Sequence, residues 1–326
     1  MTYHTSSGKN TLLVVTDYWD QVNGVATELK NTIKQLDARG FKVHVISTSN
    51  HSDIAKWCNW ARIIYISTPE GKIGFKYLRH CIFKKLPFTT GFRTNWPEAL
   101  NIKYKIPLSW SFMLFKWLHR YSKAVLVPTR SGRDQLRKYG VENVKLWSCG
   151  VDQSMFSPEL RNELTTVGKP ILLCVARAVK EKNIDDFCTM DTSKFGNRVT
   201  KIHCGDGPYL AELKQKYPDV IFTGTQTKRQ LAVWYASADV LVFPSRSDTF
   251  GIVMIESMNC GTPVAAYPVT GPIDVIEPGI TGCTKDNLTD AVEIALNYNR
   301  DLCATQAQKW TWEHCTQEFI DTLYYR

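Results

Sequence analysis

Short apolar runs recur along this chain with helical stretches between them, and that alternation constrains the fold more than any other feature. One series of runs falls at residues 12–16, 43–47, 63–67, 87–90, 124–128 and 144–147. After the first run comes a loop containing Asn23 and Gly24, then a helical pattern over 25–36. A second series falls at 171–176, 200–204, 220–223, 240–244 and 263–267. Strands alternating with helices imply parallel βαβ units. Residues 149–168 break the rhythm with Gly, Pro and polar residues, as an interdomain linker does. At 326 residues the chain exceeds one comfortable core. The expected architecture is therefore α/β, with two doubly wound domains at 1–155 and 156–303, a cleft between them, and binding loops at the carboxyl ends of the strands. In the last segment, residues 304–325 have helical spacing that puts Trp312, Phe319, Ile320 and Leu323 on or near one face.

Composition excludes several classes. A hydrophobic share of 44% with 22% charged residues describes a folded chain, neither disordered nor collagenous. The ten cysteines, among them Cys58, Cys174 and Cys260, show no CxxC pair and no Cys/His ligand spacing, which reads as reduced structural thiols. The polar start, MTYHTSSGKN, lacks the apolar core of a signal peptide, and no apolar run approaches the ~20 residues of a membrane span. The expected location is cytoplasmic, either soluble or peripheral at the inner membrane face.

Charge is unevenly spread. Residues 1–150 hold 23 Lys and Arg against 9 Asp and Glu, whereas 151–326 hold 17 against 22. Such a basic half attracts a phospholipid surface or nucleic acid, and is equally what a solvated basic surface looks like. Residues 107–121, PLSWSFMLFKWLHRY, read either as an amphipathic helix for a membrane or as core.

The strongest chemical signal is PSRSDTFGIVMIESMNCGTPV, residues 244–264. A strand ends at Pro244, a polar turn follows, and a helix starts near Gly251, with Asp248 before it and Glu256 inside it. Backbone N–H groups of Thr249, Phe250, Gly251, Ile252 and Val253 would converge on an anionic phosphate or sugar oxygen. Arg177 and Lys182, in LLCVARAVKEKNIDDF, follow another strand end, where fixed cations would stabilise a departing diphosphate. No DxD triplet occurs, and with cations and helix N–H groups in that role no metal ion is expected. His119 and His203 show no ligand spacing and are read as core or surface residues.

Two carboxylates with seven residues between them around a TFG turn, followed by Cys-Gly-Thr-Pro-Val, resemble the E-x7-E signature of family 4 glycosyltransferases, with Asp248 standing where the signature has Glu. The resemblance covers nearly the whole chain. Arg177 and Lys182 match its diphosphate-binding pair, Gly205 to Pro208 its GDGP turn, and 224–227 the loop that contacts the base. TDYWDQVNGVATEL is similar to its first phosphate-proximal loop, placing Gly24 at the donor and Asn23 near phosphate or acceptor. The segment 304–326 is similar to a closing helix that crosses back to the first domain. KKLPFTTGFRTNWPEAL looks like a bacterial subgroup acting on lipids or glycans with mannose or glucose, except that Arg93 replaces an active-site His.

The resemblance implies a GT-B fold of two Rossmann-like domains, acceptor-binding at 1–155 and nucleotide-sugar-binding at 156–303. It implies a retaining, metal-independent transferase using a nucleotide-diphosphate sugar, with UDP slightly favoured over GDP. Arg177, Lys182, Asp248 and Glu256 would act at the reacting centre. The role of the family's His does not transfer to Arg93, whose permanent charge is expected either to hold a phosphate of donor or acceptor or to face solvent. The acceptor is expected to be a phosphate-bearing lipid or glycan. A hydroxylated base in DNA is the alternative, and a weakly active sugar-nucleotide-binding protein a further one.

Overall fold

A computed structural model describes residues 10–21, 23–50, 53–162, 168–196 and 198–326. The chain divides into two compact units, residues 1–149 with 312–326, and residues 150–311.

In the first unit the order is β1 (Thr11–Val15), α1 (Gly24–Ala38), β2 (Lys42–Ile46), α2 (Ile54–Trp60), β3 (Ile63–Ile66), α3 (Lys72–Phe83) and β4 (Thr89–Gly91). It continues with α4 (Trp96–Tyr104), α5 (Leu108–His119), β5 (Val125–Val127), α6 (Arg130–Lys138) and β6 (Val144–Leu146). The sheet is parallel, in the order β2-β1-β3-β4-β5-β6. β1 and β3 are buried along their length, so their continuous apolar sequences follow from helices covering both faces. Strand order reverses between β1 and β3. There Asp17, just past β1, accepts hydrogen bonds from the Ile73 and Gly74 amides at 3.0 and 3.1 Å and so caps α3.

The second unit runs β7 (Ile171–Val175), α7 (Ile184–Thr189), β8 (Thr200–Cys204), α8 (Leu210–Lys216), β9 (Ile221–Gly224), α9 (Lys228–Ser237) and β10 (Val240–Phe243). After these come α10 (Ile252–Asn259), β11 (Val264–Ala266), α11 (Pro272–Val275), β12 (Gly282–Thr284), α12 (Leu288–Ala295) and α13 (Arg300–Ala307). Its parallel sheet has the order β12-β11-β10-β7-β8-β9. Relative to the unit's own first strand this is the 3-2-1-4-5-6 arrangement of dinucleotide-binding sheets. Its switch point lies between β7 and β10.

The expected boundaries shift at both ends. The division falls after Cys149, not at 155, and the crossing segment starts at Trp312, not at 304. α13 stays with the second unit because Arg300 donates to the Ala236 and Ala238 carbonyls and Asn259 Nδ2 to that of Ala307. The single helix expected over 304–325 is instead broken after α13, and α14 (Trp312–Asp321) belongs to the first unit. There Cys315 and Phe319 enter the core formed by Leu12, Leu29, Leu126 and Trp147. β12 was absent from the sequence expectation. It has only three residues, and Gly282 lies so close to β11 that a Cβ would come 2.2 Å from the Val264 oxygen.

Candidate functional site

Two strand ends flank the switch point of the second unit. Beyond β7, the Ala176 amide donates to the Cys204 carbonyl at 3.1 Å and the Ala178 amide to that of Asp206 at 2.9 Å. The Tyr209 amide in turn donates to the Ala178 carbonyl at 3.0 Å. The loop carrying Arg177 is thus stitched onto the Gly205–Pro208 turn. Gly205 has φ +145°, and a Cβ there would sit 1.9 Å from the Ala176 oxygen. Only glycine allows that close approach. Gly205 also donates to the Gly224 carbonyl at 2.9 Å, tying in the β9 loop, while Thr227 closes a capping box on α9.

This scaffold leaves Arg177 exposed, with no ion pair among the described residues. A short 3-10 turn, Lys180–Lys182, then carries Lys182 towards β10. Its Nζ lies 2.6 Å from Asp248 Oδ2, both side chains being about one-fifth exposed at 23% and 20%. The two expected groups are 66 positions apart in sequence and meet in one short, charge-assisted contact.

Past Asp248, Thr249 and Phe250 are buried, and the Phe250 ring packs edge-on against Trp310 with centroids 5.3 Å apart. Gly251 adopts φ +84° before α10, and a Cβ there would come 2.7 Å from Met254 and 3.1 Å from Phe243. The turn therefore needs glycine for both conformation and space. No side chain caps α10, so its N-terminal end keeps amide donors for a ligand. Of the five amides expected to converge, that of Phe250 lies 3.5 Å from Asp248 Oδ1, and those of Gly251, Ile252 and Val253 open α10.

Glu256 points from α10 to α9, where Tyr235 Oη donates to its carboxylate at 2.9 Å. Burial pushes the Glu256 carboxyl above its usual range, against the pull of that hydrogen bond and of Lys228. Tyr235 carries no signal in the sequence as the partner of this acid. Arg246, two residues before Asp248 in the same loop, stacks its guanidinium 3.5 Å over the Tyr267 ring and lies 3.8 Å from Asp186, contacts with no signal in the sequence.

In the first unit, Asn23 accepts from the Ala26 amide at 2.9 Å and is the N-cap of α1, whose first residue is the exposed Gly24. Arg93 departs from expectation. It is buried, with Nη2 2.8 Å from Glu28, Nη1 donating to the Trp147 carbonyl at 2.9 Å and the guanidinium 3.7 Å from the Trp147 ring centroid. A guanidinium held on all these sides is an internal tie, not an open phosphate site, and it does not face solvent. Both histidines are core residues. Burial holds His119 down to about 3 and His203 to about 4, so they are neutral at physiological pH.

Residues 169–298 match the family described as Glycosyl transferases group 1, and residues 59–154 match Glycosyltransferase Family 4. The chain belongs to the family 4 glycosyltransferases. It is similar to a GDP-mannose-dependent alpha-mannosyltransferase of Mycobacterium tuberculosis, 31% identical over 68% of this chain and 59% of the relative. The chain thus spans about three-fifths of that relative's length. It is also similar to an alpha-monoglucosyldiacylglycerol synthase of Streptococcus pneumoniae, 26% identical over 77% of this chain and 69% of the relative. The GT-B fold is shared with the sucrose-phosphate synthase of Thermosynechococcus elongatus. There the TM-score is 0.76 at 18% identity, covering 96% of this chain and 98% of the other.

Proposed function

We propose that the chain transfers a hexose from a nucleoside diphosphate donor, held at the switch point of residues 150–311, to a hydroxyl of a membrane lipid, with retention at the anomeric carbon. The observation that carries this reading is the Lys182–Asp248 contact beside the exposed Arg177. When a donor enters, its diphosphate is the stronger partner for Lys182, and Arg177 adds a second cation. Both stabilise the charge that grows on the β-phosphate as its bond to the anomeric carbon breaks. The acceptor oxygen forms its bond on the same face, and its proton passes to the leaving phosphate. In this reading Asp248, freed from Lys182, holds sugar hydroxyls, and Glu256, oriented by Tyr235, holds those of the ribose.

The mannosyltransferase relative supports a GDP-sugar over the slightly favoured UDP-sugar, so GDP-mannose is the first donor to test. The glucosyldiacylglycerol synthase supports a lipid acceptor. DNA has no counterpart among these relatives and is not carried forward. The test is a panel of GDP- and UDP-hexoses assayed for donor hydrolysis, then for transfer to diacylglycerol and phosphatidylinositol acceptors, with and without EDTA. Turnover of an α-linked donor to an α-linked product by proton NMR, undiminished by chelation, is expected. An inverted product overturns retention. Loss of activity that Mg²⁺ restores overturns metal independence, and failure of every donor leaves only a sugar-nucleotide-binding role.

A further inference from the structure

α5 is apolar on both sides. Phe112, Phe115 and Leu118 point into the core of the first unit, as one face of a surface helix should. The opposite face should be polar. Instead it carries Trp110, Met113, Leu114, Trp117 and, one turn beyond, Tyr121, spaced as a second helical stripe. Trp110 and Met113 are 67% and 66% exposed. Of the thirteen large apolar side chains exposed among the described residues, seven fall within 102–121, the other two being Ile102 and Tyr104 at the end of α4. Single exposed apolar residues need no explanation, but a concentrated patch marks an interaction surface.

The charges around the stripe identify its partner. From residue 99 to 133 there is no Asp or Glu, while Lys103, Lys105, Lys116 and Arg120 accompany the apolar side chains. Arg120 lies 4.6 Å over the Trp117 ring and 4.5 Å over that of Tyr121, and Lys103 5.1 Å over that of Tyr104. Tryptophan and tyrosine with long cations beside them match the headgroup region of a bilayer, where rings settle at the acyl boundary and cations reach lipid phosphates. A second copy across a two-fold axis would bring Lys116 and Arg120 towards like charges. Nucleic acid would use the rings but gain little from Met113 and Leu114.

We propose that the outward face of α5, with the end of α4, docks the protein on an anionic phospholipid bilayer. The proposal rests on the reading of the acceptor as a membrane lipid, and gives the enzyme a fixed way to reach it. The test is flotation of the full chain with vesicles of phosphatidylcholine alone or with about one-third phosphatidylglycerol, where each cation near the surface contributes about fivefold in partitioning. Wild type is expected to float with the anionic vesicles. Trp110→Ser with Trp117→Ser should lower partitioning at least tenfold, and Lys116→Gln with Arg120→Gln should remove the preference for phosphatidylglycerol. Circular dichroism and acceptor-independent donor hydrolysis should be unchanged, because none of these side chains is in the core or at the donor site. Equal flotation of wild type and the tryptophan variant overturns the proposal, as does a wild type that never floats. A dimer dispersed by the tryptophan substitutions, or duplex DNA bound through the same rings in place of vesicles, also overturns it. Donor hydrolysis that persists while flotation fails sinks only the docking surface; flotation without turnover of any donor sinks only the proposed reaction.

Discussion

At the level of single residues, Lys182 and Asp248 form the contact on which the proposed donor binding turns, and the roles proposed for them separate by substitution. Lys182→Met removes a charged donor to the diphosphate and should weaken GDP or UDP binding about tenfold to a hundredfold, the size of one hydrogen bond to a charged group. Asp248→Asn releases Lys182 and should leave nucleotide affinity intact while slowing transfer. Calorimetry with the nucleotide and a turnover assay read both effects; unchanged affinity in a folded Lys182→Met protein would remove the residue from the site. Each member of the pair, like Arg177, stands out in the sequence because it follows a strand end in a recognisable local pattern, but the contact between the two appears only in the fold. The Glu28–Arg93 tie was not legible either, since its partners lie 65 positions apart with no pattern linking them. Glu70 is another residue whose role appears only in the fold. Burial raises its carboxyl to about 7, and the nearby Asp17 charge pushes the same way. A carboxyl whose folded pKa exceeds its unfolded value binds more protons in the native state, so stability is lost as pH rises from about 4.5 to about 7. Glu70→Gln should therefore match wild type in denaturant midpoint at pH 4 and exceed it at pH 8, with a gap of at most about 3 kcal/mol. A constant gap across that range would show that Glu70 is not the titrating group.

At the level of elements, the sequence periodicity located the strands of both sheets to within a residue or two, apart from β12. It failed where packing rather than pattern decides. Helical spacing runs through 304–325, yet α13 packs by backbone contacts made by Arg300 and Asn259, whereas α14 buries Cys315 and Phe319 in the first unit. α5 shows the same limit: its aromatic content reads as either core or membrane face, and the helix buries one side while leaving the other exposed. The allegiance of α14 can be measured. Phe319 is fully enclosed, its ring centroid 4.4 Å from that of Trp147 and 5.3 Å from that of Tyr65. Phe319→Ala should cost about 3–5 kcal/mol of unfolding free energy, as large-to-small substitutions of buried phenylalanines do. Hydrogen exchange should show the loss of protection in α1 and β1, which share its cluster, and not in β7 or β10. Protection lost equally from both sheets would mean that α14 is not part of the first unit's core.

At the scale of the molecule, the two units carry opposite charge. Residues 1–149 with 312–326 hold 24 Lys and Arg against 12 Asp and Glu, while residues 150–311 hold 16 against 19. The unit proposed to take an anionic donor is thus itself slightly acidic, so its affinity must come from a few local cations and oriented amides and not from a general field. Partly enclosed contacts such as that of Lys182 are weakly screened, whereas a field summed over exposed side chains decays within about 10 Å at ~0.1 M salt. The basic unit, acting through Lys103, Lys105, Lys116, Arg120 and their neighbours, should lose its hold on anionic vesicles by an order of magnitude or more between ~0.05 and ~0.5 M salt. Over the same range the dissociation constant of GDP or UDP should change only about two- to threefold. Parallel titrations of one preparation, by calorimetry for nucleotide and flotation for vesicles, give the two slopes. Equal slopes would mean that donor binding also relies on long-range charge, and the separate electrostatic roles of the two units would then be lost.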